Sequence, residues 1–323
     1  MKKLIATLCC MLLITVGIQG LGHLVRPTDT DDEIKAIKTF HALPENTVEV
    51  IAYGSSHAWK GLETMEMYRE YGIGAYNYGC NWQHINTTSL FVHDSLRTQS
   101  PKVILLETFR VSTLLEDTDI VGEVFYTREI PNSEAKEVYL EQCFEGESGR
   151  YLSYHVPLFA FHENWSELKP ESFMKNCASE DYLSTMGFDE SDEVVPIQLE
   201  NLEVPEQKGI SDEAEAVLDG IVEICKEKGI EIIFYTVPYE GSYKYSEKIK
   251  EYATENDCVY INFFEKVEEI GLDCNTDFQD KGHLNTSGAR KIANYLGRYI
   301  AENYDVADMR TVEGNIWEKN CAR

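Results

Sequence analysis

The chain has 323 residues, 43% of them hydrophobic, which suits one large domain or two modest ones and argues against global disorder. It carries 56 acidic against 29 basic residues, a formal net charge of −27. No basic stripe is present to replace phosphate counterions, which argues against nucleic acid as a partner.

At the N-terminus, Lys2 and Lys3 precede an apolar run from Leu4 to Ile18 that continues more weakly through Leu21 to Leu24. A basic start followed by an apolar segment of this length reads as a signal anchor over residues 1–25, long enough to span a bilayer. The short basic side predicts a cytoplasmic N-terminus, a single pass through the cell membrane, and the body outside the cytoplasm. Cleavage at Gly17-Ile18-Gln19-Gly20 would instead make the segment a signal peptide and the protein secreted. Residues 26–45 are polar and acidic, with one amphipathic piece from Asp32 to His41, and read as a stalk.

The body then alternates strand and helix. Strands are expected at Val48 to Tyr53, Gly74 to Tyr78, Val103 to Thr108, Ile230 to Val237 and Val259 to Phe263. Helices are expected at Leu62 to Tyr71, Trp82 to Ser95, Ser211 to Lys228, Tyr245 to Glu255 and Thr286 to Asn303. Ser211 is a good N-cap for its helix, with Glu213 and Glu215 in the first turn. This rhythm predicts an α/β fold, a three-layer sandwich with a central parallel sheet, formed by residues 46–110 and 209–305. Residues 306–323 read as a C-terminal tail.

Residues 111–208 break the rhythm and read as a mostly helical insertion or lid, since so long a loop in a compact domain is usually functional. It holds acidic clusters at Glu116 to Asp119 and Asp189 to Glu193, and an aromatic stretch from Tyr151 to Trp165. Most of those aromatics suit the insertion's own core; His155, His162 and Trp165 are candidates for a sugar-facing surface. Of the nine cysteines, seven lie beyond the apolar segment, and no Cys-x-x-Cys occurs. A zinc site is therefore not expected. Cys225 and Cys258 look like small core residues.

Two short segments carry the chemistry. Gly54-Ser55-Ser56-His57 follows the first strand, and Asp280-Lys281-Gly282-His283 precedes the final helix. A serine on a turn at the C-terminal edge of a parallel sheet is exposed where such sheets bind ligands. It needs a base to become a nucleophile, and a carboxylate three residues before a histidine can orient that base. Ser56, His283 and Asp280 fill these roles. His57 ranks below His283 as base, because adjacent side chains project differently, and Asp277 ranks below Asp280. Taken separately, each segment also fits an ordinary Gly-Ser turn or an Asp/His helix cap.

Together they resemble the SGNH/GDSL hydrolase superfamily, whose first block places a serine after strand one and whose last block is Asp-x-x-His before the final helix. Ser55 stands where that family has aspartate. The resemblance implies an SGNH/flavodoxin-like sandwich and an oxyanion hole formed by the backbone N–H groups of Ser56 and Gly79, with Asn81 or Arg110 as a candidate substitute for the asparagine donor that the family's third block supplies. The family's third block, Gly-x-Asn-Asp, is absent; Glu107 and Arg110 occupy that strand end, Arg110 being a candidate for substrate binding or a partner of Glu107. The variant blocks and the anchor look most like bacterial cell-surface polysaccharide O-acetylation (alginate acetylation-like) and lipoteichoic acid D-alanylation proteins.

That resemblance implies a membrane-anchored serine esterase or O-acyltransferase acting on O-acyl groups, acetyl above all, of a cell-envelope glycan. A membrane-bound O-acyltransferase is the implied partner, and no metal or organic cofactor is implied. A simple secreted carbohydrate esterase is one alternative. A catalytically inactive scaffold or glycan-binding subunit of an envelope-modification assembly is another, motivated by the missing third block and the large insertion.

Overall fold

The computed structural model describes residues 1–26, 31–115, 123–144, 146–168, 170, 180–199, 208–241 and 243–321. In chain order the first elements are α1 (Lys2–Val25), α2 (Asp31–His41), β1 (Val50–Tyr53), α3 (Ser56–Trp59), α4 (Thr64–Tyr71), β2 (Ala75–Asn77), α5 (Ile85–Ser95) and β3 (Val103–Glu107). Next come α6 (Glu123–Tyr126), α7 (Glu134–Phe144), α8 (Ser148–His155), α9 (Pro157–Phe161) and α10 (Glu180–Thr185). The chain ends with α11 (Asp212–Lys228), β4 (Glu231–Thr236), α12 (Ser246–Glu255), β5 (Val259–Asn262), α13 (Thr286–Asn303) and α14 (Ile316–Cys321). They form two compact units, Met1–Lys35 with Glu116–Cys177, and Ala36–Leu115 with Ala178–Arg323.

The larger unit is an α/β fold on five parallel strands in the order β2-β1-β3-β4-β5. Strand residues alternate between its two faces. Val50, Ala52, Val103, Leu105, Ile233 and Tyr235 join one core with Met67 of α4 and Ile292, Leu296 and Ile300 of α13. The intervening Ile51, Ile104, Ile232 and Phe234 are also buried, on the side where α5 packs on α11 and the Phe234 ring meets Tyr252 of α12. Burial on both faces explains why these strands read as continuous apolar runs. On α11, Leu218, Ile221, Val222 and Cys225 fall on one buried stripe, Ser211 Oγ accepts from Ala214 N, and Gly229 closes the helix at φ 66°.

The chain winds from β1 to β2 on one side, then to β3 on the other. Strand order reverses there, so the crevice outside the carboxyl ends of β1 and β3 is the topological switch point, where open sheets of this kind bind ligands. Ser56, Gly79 and Arg110 all follow the ends of these three strands.

Three sequence expectations change. The second half of the supposed stalk is a packed helix: Ala36, Ile37 and Phe40 are buried, and the Phe40 ring stacks on Tyr78 at 4.2 Å. The supposed tail is also packed, since Trp317 is fully buried and donates its indole N–H to Ala75 O at 3.0 Å. The span 111–208 is divided between the units. Residues 180–199 belong with the sheet, where Met186 O accepts from Asn77 N (2.8 Å) and Val195 N donates to Phe278 O (2.8 Å).

In the smaller unit, α1 is long and apolar enough to cross a membrane, and its apolar window is unburied. Its last turns pack on α9, with Gln19 Nε2 donating to His155 O (3.2 Å) and Asn164 Nδ2 to Val25 O (3.2 Å). Cys225 is buried and Cys258 partly so, as expected of small core residues, while Cys177 lies outside the described residues.

Candidate active site

Ser56 reaches its position through a constrained turn. Gly54 adopts φ 145°, and a Cβ there would lie 2.6 Å from Glu107 Cβ, so only glycine fits between β1 and β3. Ser55 is extended, and its Oγ accepts from His57 N to open α3, whose first residue is Ser56. The second segment is shaped by a bridge between Phe278 and Leu284, reinforced by Gln279 N donating to His283 O (3.0 Å). Within it, Asp280 Oδ1 accepts from Gly282 N at 2.6 Å and His283 N at 2.9 Å.

The two segments meet. His283 Nε2 lies 2.8 Å from Ser56 Oγ, and His283 Nδ1 lies 2.9 Å from Asp280 Oδ2. With Nδ1–H donated to the carboxylate, Nε2 presents its lone pair and accepts from the serine hydroxyl. Partial burial raises the Asp280 pKa, but the His283 bond and the Gly282 N–H outweigh it and hold the carboxyl below its ordinary value. Asp280 is therefore an anion over the whole neutral range. Asp277 is engaged elsewhere: it is buried, takes Lys291 Nζ at 2.6 Å and Ser287 Oγ at 2.8 Å, and so ties the turn to α13.

His57 is a wall and not a base. Its ring stacks on Phe109 at 3.9 Å and meets Tyr239 and His283 edge-on at 5.2 and 5.4 Å. Burial, with the His283 and Arg110 charges adding to it, lowers its pKa to about 3, so it stays neutral.

The expected oxyanion donors separate. Ser56 N–H has no partner among the described residues. Gly79 N–H, by contrast, donates to Asn77 Oδ1 at 3.1 Å. This corrects the expectation that Gly79 presents a free amide. The cause is Asn77, a buried polar residue at the end of β2 whose Nδ2 also donates to Ala58 O (2.7 Å) and Leu62 O (2.9 Å). Asn77 thus pins β2 to the segment after the serine. An asparagine between two tyrosines, Tyr76 and Tyr78, was its sequence signal. Asn81 sits in the turn that follows.

Arg110 is not the partner of Glu107; its guanidinium lies over the Trp82 ring, 4.7 Å from the centroid, and 5.5 Å from that of Phe109. Trp82 does not begin a helix, because α5 starts at Ile85. Trp165 and His162 belong to the 3₁₀ turn His162–Glu167 of the smaller unit, where His162 Nδ1 lies 3.2 Å from Phe159 O and Trp165 is half-exposed. His155 ends α8 in the same unit.

Glu107 is buried beneath the Ser55–Ser56 turn. Its Oε1 accepts from Phe109 N at 2.9 Å, and Oε2 lies 3.4 Å from Ser55 Oγ. Burial raises its pKa to about 8, with the Phe109 N–H and Ser55 only partly opposing. Because folding raises this pKa, the stabilisation is complete below the ordinary carboxyl value of 4.5 and is lost as pH climbs through about 8. Glu107→Gln is expected to keep the turn and flatten that loss, a difference of a few kcal/mol in urea unfolding between mildly acidic and alkaline buffer. Parallel pH profiles for wild type and variant would refute this.

No family model matches the chain, and no curated protein matches it in sequence. Among solved structures, one from Bacteroides fragilis NCTC 9343, described as a "putative acylhydrolase", is similar over 83% of this chain and 95% of its own, at 10% identity and a TM-score of 0.40. A GDSL-like lipase from Bacteroides thetaiotaomicron VPI-5482 is similar over 85% of this chain and 99% of its own, at 10% identity and a TM-score of 0.41.

Proposed function

We propose that this chain is a membrane-anchored, extracytoplasmic serine esterase or acyltransferase of the SGNH/GDSL type. It would act on small O-acyl groups, acetyl above all, of a cell-envelope glycan. The observation that carries this reading is the Ser56–His283–Asp280 chain of hydrogen bonds at the switch point of a parallel sheet. Ser56 Oγ attacks the acyl carbonyl while its proton passes to His283 Nε2. The tetrahedral oxyanion takes the Ser56 N–H. Collapse breaks the ester C–O bond, and His283 returns the proton to the leaving alkoxide, leaving an acyl-Ser56. Water or a sugar hydroxyl then attacks, giving esterase or transferase. Asp280 holds the imidazole and balances its transient positive charge.

Localisation rests on α1, whose 24 residues extend about 36 Å at helical rise, enough for a bilayer, with Lys2 and Lys3 on the short side. A membrane-bound O-acyltransferase is the proposed source of acyl groups.

The test is hydrolysis of p-nitrophenyl acetate by the full chain in detergent, with mass spectrometry for an acyl adduct on Ser56. Activity and adduct should both vanish in Ser56→Ala, and transfer to an added oligosaccharide would select transferase over esterase. Equal background from wild type and variant, with no adduct, would overturn the enzymatic reading in favour of an inactive scaffold.

A further inference from the structure

Trp82 stands out at the same sheet edge. It is 64% exposed, yet it sits in the turn between β2 and α5, close in sequence to the loop that Asn77 pins. Its backbone adopts φ 58°, a left-handed conformation that is a genuine outlier for so bulky a residue. The neighbours explain how it is held. Cys80 N donates to Gly54 O at 3.2 Å, tying this turn to the glycine before the serine, and buried Gln83 donates to Thr88 Oγ1 at 3.2 Å. Burial of Cys80 and Gln83 on either side leaves the indole facing out. Backbone strain and an exposed indole both cost the fold stability, a combination that gathers at ligand sites.

A chain of ring contacts runs from Trp82 to the serine. Arg110 covers Trp82 and borders Phe109; Phe109 stacks on His57; His57 meets His283, which touches Ser56 Oγ. A contiguous series of side chains therefore links the platform to the reacting atoms.

We propose that Trp82 and Arg110 form the subsite for the sugar ring that carries the acyl group. A pyranose offers one face of C–H groups to an indole and a rim of oxygens to a guanidinium. An indole stacked with a cation suits a ring with an apolar face and a polar edge. A polyanionic strand does not fit a chain of net charge −27. This subsite rests on the reading of Ser56 as the acylated residue and gives that reading its substrate class.

The experiment compares wild type, Trp82→Ala and Trp82→Phe on O-acetylated chitotetraose and on p-nitrophenyl acetate. Trp82→Ala should lower the glycan-ester kcat/KM relative to that of p-nitrophenyl acetate by about fivefold to tenfold, mainly through KM, the size one aromatic contact carries. Trp82→Phe should recover part of it. An unchanged ratio would overturn the subsite while leaving Ser56 in place. If wild type hydrolyses neither compound, the reading of Ser56 fails, and the subsite is judged by fluorescence titration of chitotetraose into Ser56→Ala with and without Trp82→Ala. Binding weakened by loss of the indole sustains the subsite; equal binding, or none, overturns it.

Discussion

His283→Ala is expected to lower p-nitrophenyl acetate turnover by about 10³- to 10⁴-fold, since a serine hydroxyl without its base is a poor nucleophile at neutral pH. The ring accepts from Ser56 Oγ on one side and is held by Asp280 on the other, so its removal dismantles the whole relay. His57 does not compensate. Its ring is stacked on Phe109, and burial lowers its proton affinity far below neutrality. Asp280→Asn should cost less, about tenfold to a hundredfold, because the Asp280 side chain is 51% exposed and water screens its charge. What remains of its effect is positional, exerted through the Gly282 and His283 N–H groups as well as the imidazole. Both variants should melt like wild type, since neither side chain is in the core. The measurement is kcat/KM beside thermal melts. A His283→Ala variant retaining more than about a tenth of wild-type activity would sink the proposed relay.

The framework was legible because its signals are local. Strand and helix periods alternate without ambiguity from Val48 to Val103 and again from Ser211 onward, and every one of the five strands falls where period and flanking turn residues place it. The meeting of Ser56 with His283 was legible for a different reason: each lies in a short segment whose residue types suit only a few chemistries.

What escaped is set by contacts across the chain. The Gly79 N–H turns back on Asn77 Oδ1 two residues earlier, but what fixes that amide, its Nδ2 bonds to Ala58 O and Leu62 O, depends on how β2 abuts the segment after α3. Trp82 read as the first residue of a helix, since periodicity does not register a left-handed turn. The division of residues 111–208 was hidden in the same way. The acidic stretch around Asp189 to Glu193 read as part of the insertion, yet it binds the start of α13. Ser191 O accepts from Thr286 N at 2.9 Å, and Glu193 O from Asn285 Nδ2 at 3.0 Å. Acidic composition marks these residues as polar; their backbone carbonyls do the binding.

Trp317→Ala is expected to destabilise the larger unit by about 3–5 kcal/mol, the cost of emptying a buried aromatic site. Domains hold about 5–15 kcal/mol in total, so a loss of this size is severe. The indole is fully buried against Gly74, where an added Cβ would lie 3.2 Å from the ring, and its N–H satisfies Ala75 O. β2 is a three-residue strand at the sheet edge and cannot hold itself by pairing with β1 alone. α14 packs on α4 and α10 and delivers Trp317 to that edge. Loss of the indole therefore loosens β2, and with it Asn77, whose bonds to Ala58 O and Leu62 O steady the segment after Ser56. Activity of Trp317→Ala should fall at temperatures where the wild type is intact and return on cooling, whereas His283→Ala should stay inactive throughout. Urea unfolding of the two variants separates these outcomes. A Trp317→Ala midpoint equal to wild type would mean that the edge is held without the C-terminal helix, and truncation after Tyr304 would then be tolerated as well.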